Sequence, residues 1–254
     1  MKQIILITDG CSNVGVSPVV AAAHALTEGI VVNVVGVIDR GEIGELGAKE
    51  IADIAKAGGG LSRIVDPQAL SQTVQMMTRK TVAHTIRQAV GSELRTILGT
   101  SELTELPPGK RAEVVRVIDE LEETADLRVA LLVDASASMK PKLRAVREAV
   151  RDLMASLQAR QGKSELAVLH FPGQGDEELR IDANWSRHLA KAAELFYNIN
   201  MKGTTPTGPA LLRAVAFFAE TAPPVTEWED KTSRQEPFPP ASRGEDGMLS
   251  DYVL

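Results

Sequence analysis

The chain has almost no cysteine: Cys11 is the one residue of its type among 254. That excludes an intrachain disulfide and any zinc site built on several cysteines, and it suits a reducing compartment. Cys11 itself reads as a small residue packed in a loop. A basic surplus is also missing, since 28 Lys and Arg stand against 34 Asp and Glu, for a net charge of -6 and a pI near 5.4. Such a balance does not neutralise nucleic-acid phosphates, so DNA or RNA binding is disfavoured. Long hydrophobic runs are lacking too. The apolar residues 4–7 are too few for a signal-peptide core, and no segment is long enough to cross a membrane. A cytoplasmic protein with no membrane insertion is expected. His24, His84, His170 and His188 show no spacing that recommends metal ligation, and His170, on an apolar strand, is expected to be packed. Neither a Gly-x-x-x-x-Gly-Lys-Ser/Thr phosphate loop nor a Gly-x-Ser-x-Gly nucleophile elbow is present.

What the sequence does contain is an alternation of short apolar runs with longer helical patterns, the signal of parallel strands joined by helical crossovers. Two blocks carry it. In the first, residues 3–7 read as a buried strand, 17–27 as a helix with Pro18 in its first turn, 30–37 as a second strand and 45–57 as a helix. Gly58-Gly59-Gly60 stops that helix, residues 61–65 form a short third strand, and Asp66-Pro67 opens a long helix to about Leu98. A polar connector, residues 99–126, follows; within it Pro107-Pro108 starts a charged helix whose charges read as a solvated face.

The second block repeats the pattern. Residues 127–133 read as a strand, 141–158 as a helix, 165–171 as a strand and 178–181 as a short third one. The link at residues 172–177 is too short for a parallel crossover, so this last strand is expected to be an antiparallel edge. A helix over 186–197, the loop Gly203-Thr204-Thr205-Pro206-Thr207-Gly208 and a helix over 209–219 complete it. Beyond Ala222, five of the 13 prolines sit among polar residues, and 222–254 is expected to be a disordered tail.

Three strands alone leave an inner edge uncovered, whereas the two blocks together make a six-stranded, doubly wound α/β sheet. In the order 3-2-1-4-5-6 a ligand sits where the strand order reverses, between positions 1 and 4. If residues 127–221 supply positions 1 to 3 and residues 1–98 supply positions 4 to 6, the strand ending at Asp134 lies beside the one ending near Asp9. The chain then reads as a circular permutation, with 99–126 joining the old ends.

Both strand ends carry oxygen. Asp134-Ala135-Ser136-Ala137-Ser138 places a carboxylate and two hydroxyls in the turn after the apolar run 129–133, and three hard donors in five residues suit a small divalent cation. Plainer readings exist. Ser138 can cap a helix that has Pro141 in its first turn, Asp9-Gly10 can be a turn, and Thr205-Pro206-Thr207-Gly208 can be a loop and helix start.

Together, Asp134-x-Ser136-x-Ser138, the loop from Gly203 to Gly208 followed by Ala210-Leu211, and Ile4-Ile5-Leu6-Ile7 leading into Thr8-Asp9-Gly10 resemble the metal-ion-dependent adhesion site (MIDAS) of von Willebrand factor A (vWA) domains. The opening at residues 7–13 is also similar to bacillar vWA proteins of the YabS type. The resemblance covers residues 1–98 and 127–220. It implies a Rossmann-like vWA fold and a Mg2+ or Mn2+ ion held by Ser136, Ser138 and Thr205, with Asp134 and Asp9 acting directly or through water. Thr205 takes the first threonine place of the family's Gly-Gly-Thr-x-Thr-Gly pattern; Thr204 departs from it by replacing the second glycine, and the order of the strands departs as well.

Two carboxylates only formally neutralise a divalent cation, so a carboxylate from another protein is a natural further ligand. The expected activity is therefore metal-dependent binding of a protein partner through its Asp or Glu, not catalysis. A regulatory or scaffolding subunit of an ATPase or kinase system is the alternative. A phosphoryl-transfer enzyme with Asp134 as nucleophile is weakened by Ser136, which stands where such phosphatases carry a second aspartate. The same contacts serve a monomer or a swapped dimer.

Overall fold

In the computed structural model, the described residues are 1–10, 12–38, 44–99, 103–175, 177–188, 195–196 and 204–221. The readings of Cys11, Gly203 and the 222–254 tail lie outside them. Residues Met1–Thr221 form one unit.

Six strands make a single sheet: β1 (Lys2–Thr8), β2 (Ile30–Val37), β3 (Gly59–Val65), β4 (Leu127–Asp134), β5 (Ser164–Phe171) and β6 (Arg180–Ser186). Their order is β3-β2-β1-β4-β5-β6, so the central pair joins the first strand of each block. That pair is parallel, with Lys2 opposite Arg128 and Ile7 opposite Val133. β2, β3 and β5 extend the parallel sheet on both sides, and β6 closes it as an antiparallel edge. The fold is thus the mostly parallel, six-stranded α/β arrangement expected.

The four inner strands, β2, β1, β4 and β5, are largely apolar because both of their faces are covered, whereas the edge strands β3 and β6 are partly exposed. Alternate residues feed two cores. Ile5, Ile7, Val35, Val129, Leu131, Val133 and Val168 face one, shared with α3 (Leu70–Leu98), α4 (Pro108–Thr124) and α5 (Leu143–Gln158). Ile4, Leu6, Val32, Val34, Ala130, Leu132 and Leu169 face the other, against α1 (Pro18–Thr27), α2 (Glu45–Ala57) and α6 (Thr207–Glu220). Helices α5 and α6 show the pattern in sequence as apolar residues at spacings of three and four, such as Val146, Ala149, Val150 and Leu153.

Several boundaries move for local reasons. β3 begins inside the glycine triplet: Gly58 ends α2, Gly59 takes φ +65°, and Gly60 lies against the Val32 carbonyl, where a Cβ would have no room. The long helix is preceded by a 3-10 turn, Pro67–Ala69, whose Ala69 amide is capped by Asp66. A 3-10 segment, Ala137–Lys142, likewise precedes α5. Ser186 does not begin a helix; it ends β6, which runs longer than its four-residue sequence signal because Trp185 packs on Phe217 and Phe218 of α6. The rest of that expected helix falls mainly outside the described residues. His170 is buried as expected, its Nδ1 2.6 Å from Asp182 on β6.

Candidate metal centre

Because β1 and β4 run in register, Thr8 and Asp134 finish at the same end of the sheet. Asp134 is the last residue of β4 and is wholly buried. Its carboxylate accepts the Ser136 backbone N–H at 2.8 Å on Oδ1 and the Thr8 hydroxyl at 2.7 Å on Oδ2. Burial pushes this carboxyl above its ordinary range, the Ser136 and Thr8 hydrogen bonds pull it down, and the nearby Asp9 charge adds to the rise.

Asp9 is the other carboxylate. The Ser138 hydroxyl donates to its Oδ1 at 2.8 Å, and the Lys142 ammonium meets its Oδ2 at 2.5 Å. The Ser136 and Ser138 hydroxyls are 3.1 Å apart. Four of the five expected site residues, Asp134, Ser136, Ser138 and Asp9, therefore form one connected set drawn from both blocks. Neither serine side chain caps a helix amide: the 3-10 segment and α5 both start without a side-chain cap. Ser138 is directed to Asp9.

Thr205, the fifth residue, is buried and is hydrogen-bonded to the loop that follows Asp9. Its N–H donates to Asn13 Oδ1 at 2.8 Å, and its carbonyl accepts the Asn13 N–H at 3.2 Å and the Ser12 hydroxyl at 3.3 Å. Ser12 is held in turn by Glu50 of α2, which accepts its N–H at 2.9 Å. The backbone beyond Thr205 is pressed on the same loop. A Cβ on Gly208 would lie 1.9 Å from the Val16 carbonyl oxygen, and one on Gly15 would lie 2.4 Å from Pro209.

The donor set is two carboxylates and hydroxyls, all hard oxygen, which fits Mg2+ or Mn2+ better than a soft metal. Among the described residues, no three His, Cys, Asp or Glu side chains gather as a metal cluster. Ser136 and Ser138 would thus have to supply ligands beside Asp134 and Asp9. Ser138 is exposed, so the set opens to solvent on one side.

Residues 129–226 match the family model of the von Willebrand factor type A domain. Over 219 residues, 86% of this chain and 89% of the relative, the sequence is 47% identical to the uncharacterised protein YabS of Bacillus subtilis (strain 168). The chain belongs to the vWA domain family. A crystal structure of an uncharacterised protein from Alicyclobacillus acidocaldarius subsp. acidocaldarius DSM 446 has a TM-score of 0.81 at 44% identity, covering 87% of this chain and 94% of that one.

The match from Val129 onward takes in the serine motif and the threonine loop of the vWA domain but not Asp9. Sequence reasoning found Asp9 from its strand end, and it missed Thr8, Ser12, Asn13 and Lys142. Ser12 and Asn13 lie within the opening that carried the resemblance, and small polar residues just past a strand are a usable signal for a supporting loop. Lys142 carried none, since a lysine at the start of a helix is ordinarily solvated.

Proposed function

We propose that this vWA protein is a metal-dependent protein-binding module. Ser136, Ser138 and Thr205 would hold Mg2+ or Mn2+, Asp134 and Asp9 would act directly or through water, and an Asp or Glu of a partner would complete the coordination. The observation that carries this reading is the convergence of Asp9 and Asp134, 125 residues apart in number, on one chain of contacts through Ser136 and Ser138. The family often mediates protein–protein interaction. The order of the sheet is also what a circular permutation of a vWA domain would give, with residues 127–221 as its leading half and 1–98 as its trailing half.

When bound, the cation supplies a Lewis-acidic point for an incoming carboxylate. The chain's own residues do the rest. Thr8 and the Ser136 amide fix Asp134, Ser138 fixes Asp9, and Asn13 fixes the Thr205 backbone. Among the described residues no helix is long and apolar enough to cross a membrane, and the single cysteine supports a cytoplasmic setting.

The test is capture of a binding partner by the immobilised protein in magnesium or manganese buffer. Capture that is lost in EDTA and lost in Ser136→Ala supports the module. Capture indifferent to both refutes it.

A further inference from the structure

We infer, resting on the metal reading above, that Lys142 is an internal competitor for the divalent cation: its ammonium sits on Asp9, and the metal binds by displacing it. The Lys142 side chain is 9% exposed and that of Asp9 4%, so this is a buried pair and not a surface contact. A buried ammonium needs a counter-charge, and Asp9 provides it at 2.5 Å. The pair also crosses the β1–β4 junction, holding the two blocks together.

Only one of the two contacts on Asp9 conflicts with a metal. Ser138 donates its proton to Oδ1 and accepts from the Ser136 hydroxyl, which leaves one oxygen lone pair, so it can hold Asp9 and ligate a cation at once. Lys142 cannot share in this way. A magnesium ion sits about 2.1 Å from its ligand oxygens, and placing it beside an ammonium already hydrogen-bonded to Oδ2 sets two positive charges against each other where water screens them little. The lysine has somewhere to go. It lies at the end of the Ala137–Lys142 segment, next to exposed Pro141 and Arg144, and its flexible stem can carry the charge out to water.

The consequence is an exchange of cations rather than simple filling of a site. Metal-free protein keeps a charge partner for Asp9, and divalent affinity is set lower than the oxygen ligands alone would make it. Lysine removal should therefore raise affinity, which is opposite to the effect of removing a ligand.

Calorimetric titration of Mg2+ and Mn2+ into wild type, Lys142→Met and Lys140→Met tests this. Lys140 is exposed and two residues away, so its variant removes the same net charge without touching Asp9. Lys142→Met should bind at least about tenfold more tightly, a coupling of ordinary size, while Lys140→Met changes affinity less than about twofold. Binding by Lys142→Met with none detectable in wild type also supports the exchange. Equal or weaker binding in Lys142→Met, or equal tightening in Lys140→Met, overturns it and leaves the metal site standing. No binding by any of the three overturns both. Should Lys142→Met fail to fold, Lys142→Gln carries the same readout.

Discussion

Thr8 donates its hydroxyl to Oδ2 of Asp134 over 2.7 Å, across 126 residues of sequence. The contact is possible because β1 and β4 are neighbours in the sheet, and it sits at the carboxyl ends of both, where an open α/β fold places its ligands. Beside it, Asp9 and Ser138 make a second bond between the same two segments. The candidate metal centre and the seam between the two blocks are therefore the same place.

Asp9→Ala should destabilise the metal-free protein by about 3 kcal/mol, because it strands the buried Lys142 ammonium. Urea denaturation in EDTA measures it. Adding Lys142→Met should recover part of that loss; a double variant as unstable as the sum of the single ones would mean that the two residues are not coupled.

The pH dependence of stability carries a signature of Asp134. Its carboxyl is held above the ordinary value of 3.8 by burial. Between that value and the raised one the folded chain binds more protons than the unfolded chain, so the contribution of Asp134 to stability falls as pH rises through the window. In EDTA, the stability of Asp134→Asn relative to wild type should increase from acid toward neutral pH. A constant difference across that range would contradict the assignment.

Asn13→Ala removes the acceptor for the Thr205 amide. Leaving a buried donor unmatched costs about 1–3 kcal/mol, and Thr205 loses its fixed position. Chemical denaturation should show the first effect and a magnesium titration several-fold weaker binding.

Gly208→Ala tests the packing of the threonine loop. Its Cβ would meet the Val16 carbonyl oxygen at 1.9 Å, and backbone on both sides has little freedom to yield. A loss of about 3 kcal/mol is expected in equilibrium unfolding; a neutral substitution would mean that the two loops are not in contact.

The fold was legible because both sheet faces are covered. Continuous apolar runs such as residues 4–7 and 129–133 mark buried parallel strands, and the short link after Phe171 allows only an antiparallel neighbour. Pairing of the first strand with the fourth followed from the need to cover two inner edges at once. The long-range polar contacts were less visible. Nothing in the periodicity of α5 says that Lys142 turns inward, since its burial depends on Asp9, which sits 133 residues earlier. Asn13 is similar, because its partner Thr205 lies 192 residues on. The extent of β6 was underestimated since Trp185, which extends it, is stabilised by α6 rather than by a local pattern.

One measurement bears most directly on a shared metal centre: calorimetric titration of Mg2+ into wild type, Asp9→Ala and Asp134→Ala. The two aspartates come from different blocks and should behave as one site, with saturable binding in wild type and none in either variant. Unchanged magnesium binding in either variant would contradict it.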